Sequence, residues 1–127
     1  EGILPGGGTA LYNIAKNYAE KSDALDQENI SKKIAYAILG AALRAPLEQI
    51  LDNAGLKAEE IYEGILDARH GYDVKNERYG DLLELGVIDP LKVTKHAIKN
   101  AVSVANTILS TNAIITMART YEADATT

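Results

Sequence analysis

Three consecutive glycines stand directly before a helical pattern near the start of this chain, and few features constrain a backbone more. Gly6-Gly7-Gly8 can adopt positive φ and let other backbone approach closely, so residues 1–8, with Pro5, read as a loop. A helix is expected from Thr9, a capping residue, to Ser22, because Leu11, Ile14, Ala15, Tyr18 and Ala19 recur with the helical period. Such a junction gathers backbone N–H groups and the positive end of a helix at one place, where a ligand could be held. No Gly-Lys-Ser/Thr follows, so it is not a P-loop. On pattern alone, three glycines are an ordinary turn.

The periodicity continues downstream. A second helix is expected over residues 27–53, with Ile30, Ile34, Ala37, Ile38 and Ala41 as a first apolar stripe and Leu47, Ile50, Leu51 and Ala54 as a second. Asp23 or Asp26 would cap it, Pro46 would kink it, and Gly55 suits the left-handed position that ends it. A third helix, 58–68, would bury Ala58, Ile61, Tyr62, Ile65 and Leu66. Residues 70–89 read as a small β element, with strands near 71–74 and 86–88 flanking a helical turn at 79–84. Asp89-Pro90 reads as a helix start, Asp as cap and Pro as first residue. The last helix, 90–111, carries Ala97, Ala101, Val104, Ala105 and Ile108 on one face, and 113–117 reads as a terminal strand. The fold class is therefore mainly α, a helical bundle with a small β-hairpin and a terminal strand, and 119–127 a frayed tail.

Composition narrows the chemistry. The chain has 127 residues, 46% hydrophobic and 24% charged, enough for one domain with a modest core. A net charge of −5 with no Lys/Arg cluster argues against a nucleic-acid or anionic-membrane partner. The absence of cysteine removes disulfides, thiolate catalysis and Cys-based zinc sites. No uninterrupted apolar run approaches a membrane span and no signal peptide is evident, so a cytoplasmic or organelle-matrix location is expected. Glu1 rather than Met suits a processed or trimmed product. Seven Tyr with no Phe or Trp suggest rings that are half-exposed or completed by another surface.

Few residues offer chemistry by themselves. Asp89 could cap a helix or, turned outward, accept from ribose hydroxyls. Tyr72-Asp73 could end a strand or present an aromatic face and an acceptor to a purine. Glu59, Glu60 and Glu63 share one helix, which is the usual look of a solvated face. His70 and His96 are too far apart for a local metal motif and read as surface residues.

Taken together, the segments resemble the group I chaperonin (GroEL) family. The run from Glu1 through Pro5-Gly6-Gly7-Gly8 to Leu11 is similar to the segment that enters the second half of the family's equatorial ATP-binding domain. Ala45-Pro46-Leu47-Glu48-Gln49-Ile50 with Asn53-Ala54-Gly55, then Gly71-Tyr72-Asp73, Tyr79-Gly80-Asp81 and Gly86 through Thr94, resemble its later motifs in order and spacing. Ala101 through Ala105 and Thr111-Asn112-Ala113 continue the match. The resemblance implies that residues 1–127 form a C-terminal segment of an equatorial domain. It implies that Gly7, with Gly6 beside it, approaches the ribose of ATP, that Asp73, Val74 and Lys75 line the adenine pocket, and that Asp89 binds ribose hydroxyls. The family has Asn and small residues where this chain has Asp73, Val74 and Lys75; Gly40 and Arg44 also depart from its pattern.

The family's phosphate loop, magnesium-binding aspartate and water-activating aspartate lie in segments not matched here. The implied role is therefore one side of an ATP pocket, with magnesium held by residues outside this sequence and no ATPase activity from this chain alone. Implied partners are other chaperonin subunits in a homo-oligomeric ring, met partly through the terminal strand; a co-chaperonin and non-native polypeptides would be met through other domains. An alternative from another class is a self-standing helical interaction or oligomerisation module without nucleotide function. A small enzyme using the clustered carboxylates is a third reading that no spacing demands.

Overall fold

The computed structural model describes residues 2–113 and 115, and the chain forms two compact units, Glu1–Thr94 and Lys95–Thr127. In the first unit a short strand, β1 (Ile3–Pro5), leads through the glycines into helix α1 (Thr9–Asp23). A single 3₁₀ turn, Gln27–Asn29, precedes helix α2 (Ile30–Asn53). A one-turn helix, α3 (Ala58–Tyr62), follows, then strands β2 (His70–Asp73), β3 (Arg78–Asp81) and β4 (Ile88–Pro90). Helix α4 (Leu91–Leu109) starts at the end of this unit and continues into the second.

Small residues set how α1 meets α2. A Cβ on Gly8 would lie 2.7 Å from the Leu47 nitrogen, one on Gly40 would lie 3.6 Å from the Ala15 carbonyl oxygen, and the Ser22 hydroxyl donates to the Lys33 carbonyl at 3.1 Å. These points advance by seven residues along the chain from Gly8 to Ser22 while falling by seven from Leu47 to Lys33, so the helices run antiparallel with a seam repeating every two turns. The buried face of α1 is therefore Thr9, Tyr12, Ala15 and Ser22, rotated from the expected stripe, and Ile14 stays 42% exposed. Ala15 and Ser22 allow the close approach that a leucine seam would prevent.

Tyr12, Leu47, Leu51, Ile61 and Ile65 form the core, with Leu56, Tyr62, Tyr72 and Val74 packed around it. Tyr12 and Tyr62 stack with ring centroids 4.6 Å apart, and the Tyr62 hydroxyl donates to Glu48 Oε1 at 2.6 Å. Burial, then the hydrogen bond and negative charge of Glu48, hold the Tyr62 phenol above its usual range. Pro46 lies inside α2, which is continuous across it although the ring supplies no N–H. The stretch Gln27–Asn53 is long and apolar enough to cross a membrane, with mean hydropathy 1.3 over 18 residues. Isolated charges such as Arg44 and Glu48, paired at 3.5 Å, hid this from a search for unbroken apolar runs.

Three expectations are corrected. The third helix stops after Tyr62 instead of reaching 68. Gly64 and Ile65 donate backward by three residues, to the Ile61 and Tyr62 carbonyls, and the Tyr79 ring lies over Gly64, where a Cβ would sit 2.2 Å from it. Asp67 Oδ1 then accepts from the Arg69 and His70 N–H groups, which turns the chain into β2. Second, β2 pairs antiparallel with β3, Tyr72 opposite Tyr79, so residues 78–81 are strand and not helix. Third, the strand near 86–88 is not part of that hairpin. It is β4, and it pairs with β1, Leu4 opposite Asp89, which makes strand of a segment read as loop.

The apolar stripes at the start of α2 and along α4 face outward: Ile30, Ile34 and Ile38 are exposed, and α4 has no buried residue among those described. The terminal strand expected at 113–117 lies largely outside the described residues.

Candidate functional site

Gly6 N–H donates to the Val87 carbonyl at 2.8 Å and Leu91 N–H donates to the Gly2 carbonyl at 3.0 Å, extending the β1–β4 ladder at both ends. This ladder holds the glycine turn against residues 85–89, and the three glycines divide the work. Gly6 is buried, and a Cβ there would meet the Ile88 backbone at 3.1 Å. Gly8 has φ +79° and faces α2 as described. Gly7 has φ +63°, and a Cβ there would find nothing closer than Val87 Cγ1 at 3.9 Å. Of the three, Gly7 alone opens onto free space.

That space is a cleft of about 480 Å³, within the range of small-molecule sites. One wall is the β2 end and the turn after it, Tyr72, Asp73, Val74, Lys75 and Asn76; the other is Leu85 to Asp89, with Gly7 and Ile50 completing it. Five of the six residues singled out in the sequence, Gly7, Asp73, Val74, Lys75 and Asp89, thus line one cavity, while Gly6 supports it from behind. Ile50 was not singled out, because helical periodicity gives only its face. Asn76 was missed because nothing in its spacing marks it.

Asp73 is only 3% exposed. Its Oδ1 accepts from the Lys75 and Asn76 backbone N–H groups at 3.1 and 3.2 Å, and Oδ2 accepts from Asn76 Nδ2 at 2.6 Å. The carboxylate therefore organises the turn in which Glu77 takes φ 51°. The Asn76 side chain, ahead of the opposing burial, holds the Asp73 carboxyl below the usual carboxylate range. A folded-state value below the unfolded one means that this contribution is present above the ordinary value of about 3.9 and is lost as pH falls through the depressed one. We expect Asp73→Asn to lower the urea midpoint near neutral pH, with the gap to the parent closing as pH falls below the usual carboxylate range. Urea titrations at a series of pH values check this; a pH-independent gap would remove the carboxylate from the account.

Asp89 does not cap α4 in the way expected. It lies in β4, paired with Leu4, and the helix begins two residues later at Leu91. Its half-buried side chain faces the cleft, and among the described residues no side-chain hydrogen bond ties it down. The remaining titratable candidates sit elsewhere. Glu59, Glu60 and Glu63 are exposed. His70, half-buried at the start of β2, has Nδ1 3.2 Å from the Gly64 carbonyl. Among the described residues there is no cluster of metal-ligating side chains.

Residues 1–119 match the TCP-1/cpn60 chaperonin family. The chain belongs to that family. It is similar to chaperonin GroEL 3 of Psychromonas ingrahamii, with 41% identity over 117 residues that cover 91% of this chain and 21% of that protein. It is also similar in structure to the open-state monomer of a group II chaperonin from Methanococcoides burtonii. That match has a TM-score of 0.72 and 23% identity, and covers 86% of this chain and 28% of that one. This chaperonin chain thus spans about a fifth of the length of the curated relative it matches. Its helical fold with small strands is of the chaperonin equatorial type, and the chain is a GroEL-like member of the chaperonin family.

Proposed function

We propose that this chain supplies the ribose and base side of an ATP pocket in an ATP-driven chaperonin, as a C-terminal segment of its equatorial domain. The carrying observation is that Gly7 and Asp89, eighty-odd positions apart in sequence, line one cleft together with Tyr72, Val74 and Lys75. A nucleoside fits this donor set. Gly7 leaves backbone open to close approach, Asp89 offers acceptors to vicinal hydroxyls, and Tyr72, Val74 and Ile50 offer apolar surface to a base. Asp73 supports the pocket by shaping its turn, and Gly6 by anchoring Gly7.

Phosphate chemistry needs neutralised charge and an oriented water. Among the described residues the cleft's one cationic side chain, Lys75, lies on the same wall as Tyr72 and Val74, so magnesium and the phosphates would be held by residues outside this sequence. The chain alone would not hydrolyse ATP. The exposed apolar stripes of α2 and α4 support assembly with further chaperonin segments and subunits, with non-native polypeptides handled by other domains and a co-chaperonin as a further partner. The location proposed is the cytoplasm or an organelle matrix.

The test is equilibrium titration of the protein carrying this chain with a fluorescent ATP analogue. Asp89→Ala should weaken binding about 10- to 100-fold, as expected for losing charged hydrogen bonds to the sugar. Unchanged affinity in a folded variant would sink the assignment and favour an interaction module without nucleotide function.

A further inference from the structure

One side chain at the base end of the cleft is held in place with an acceptor to spare. Asn76 lines the same wall as Tyr72 and Val74, and its Nδ2 donates to Asp73 Oδ2 at 2.6 Å. Asp73 is itself fixed: it is buried, and its Oδ1 takes the Lys75 and Asn76 backbone N–H groups. An ionised carboxylate only accepts, so the Asn76 amide turns its nitrogen to Asp73 and keeps Oδ1 as its unspent polar atom. Among the described residues that oxygen has no hydrogen-bond donor. The short charge-assisted bond to Asp73 orders Asn76 before any ligand arrives, so little side-chain freedom remains to be lost when one binds.

The apolar surface a base needs is supplied by Tyr72 and Val74, whereas Gly7 and Asp89 suit a sugar. A fixed acceptor on the base's wall calls for a donor on the base. The exocyclic amino group of a 6-aminopurine is such a donor, while the O6 of a 6-oxopurine is an acceptor and would meet Oδ1 with no proton between them. We propose that Asn76 selects the base, its Oδ1 accepting a hydrogen bond from the amino group of a 6-aminopurine nucleotide. Asp73 is a positioning residue that acts through it, because the buried carboxylate decides which end of the amide is left for a ligand. This role rests on the nucleotide reading above and deepens it.

Competitive titration of the protein carrying this chain with ATP and purine riboside triphosphate, which lacks only the 6-amino group, tests the two together. The parent should favour ATP by about fivefold or more, as expected for one well-placed hydrogen bond. Asn76→Leu, close in shape but without polar side-chain atoms, should bring the two affinities within about twofold of each other. Asn76→Asp keeps an acceptor and loses the donor to Asp73, so it should retain most of the preference for ATP. If Asn76 served only to brace the Asp73 turn, both variants would lose the preference alike, and that result overturns the proposal. Equal affinities in the parent overturn it too. So does a ratio that Asn76→Leu leaves unmoved while its urea midpoint shows a folded protein, since a backbone carbonyl would then take the amino proton. In each of these cases ATP still binds and the nucleotide site stands. Binding of neither nucleotide overturns both readings.

Discussion

Gly8→Ala is expected to destabilise the fold by roughly 3 kcal/mol or more, with a fall in Tm on the order of 10 °C. Two costs act together. At φ +79° an alanine carries the left-handed penalty of about 1–2 kcal/mol. The new methyl would also stand 2.7 Å from the Leu47 nitrogen and 2.9 Å from its Cα. Those are backbone atoms in the middle of α2, so relief requires the two helices to separate and the Tyr12–Leu47–Leu51 core to loosen. Gly7→Ala is the control. At φ +63° it has the same backbone strain, but its nearest neighbour is a Val87 side chain at 3.9 Å, so only about 1–2 kcal/mol should be lost. Thermal and urea unfolding of both variants decides the matter. Equal losses would mean that close helix approach is not what Gly8 provides. The pair also separates fold from site, because Gly7 is the glycine that lines the cleft.

Leu51→Ala should cost about 2–5 kcal/mol, the range for emptying a fully buried leucine site. Leu51 is 0% exposed and sits in the core with Tyr12, Leu47, Ile61 and Ile65. Its carbonyl also accepts from the Ala54 and Leu56 N–H groups at 3.0 and 2.9 Å, so it lies where α2 ends. Neighbouring Ile50 lines the cleft, and loosening here should weaken ligand binding as well as stability. Leu51→Met keeps most of the volume and should cost under about 1.5 kcal/mol. Denaturant midpoints for both variants test this, and a small loss in Leu51→Ala would show that the surrounding side chains collapse into the space.

Much of the helical framework was legible beforehand. Period-3.6 patterning located α1, α2 and α4 within a few residues, because helix formation depends on neighbours a turn apart and leaves its mark locally. Helix faces were read less well. The seam of Gly8, Ala15 and Ser22 is made of small residues, of which only Ala15 belonged to the expected apolar stripe, and Ile30, Ile34 and Ile38, which carry a strong hydrophobic signal, are exposed. The short strands were misread for a related reason. The three residues of β1 have their hydrogen-bond partners at 88–90, and no local pattern encodes a partner that distant.

The candidate site divides the same way. By itself the sequence determined the family, the presence of Gly7, Asp73, Val74, Lys75 and Asp89 in the right order, and the absence of a P-loop. Only the tertiary structure decided that these residues share a cleft and that Gly6 and Gly8 serve packing while Gly7 faces open space. It likewise decided that Asp73 is turned into its own loop. The physical reason is that residue type and spacing specify what a side chain can donate or accept. Whether that capacity is directed at a ligand or consumed by neighbouring N–H groups depends on where the backbone places them. For Asp73 that meant the turn through Lys75 and Asn76, and for Asp89 the pairing of two short strands.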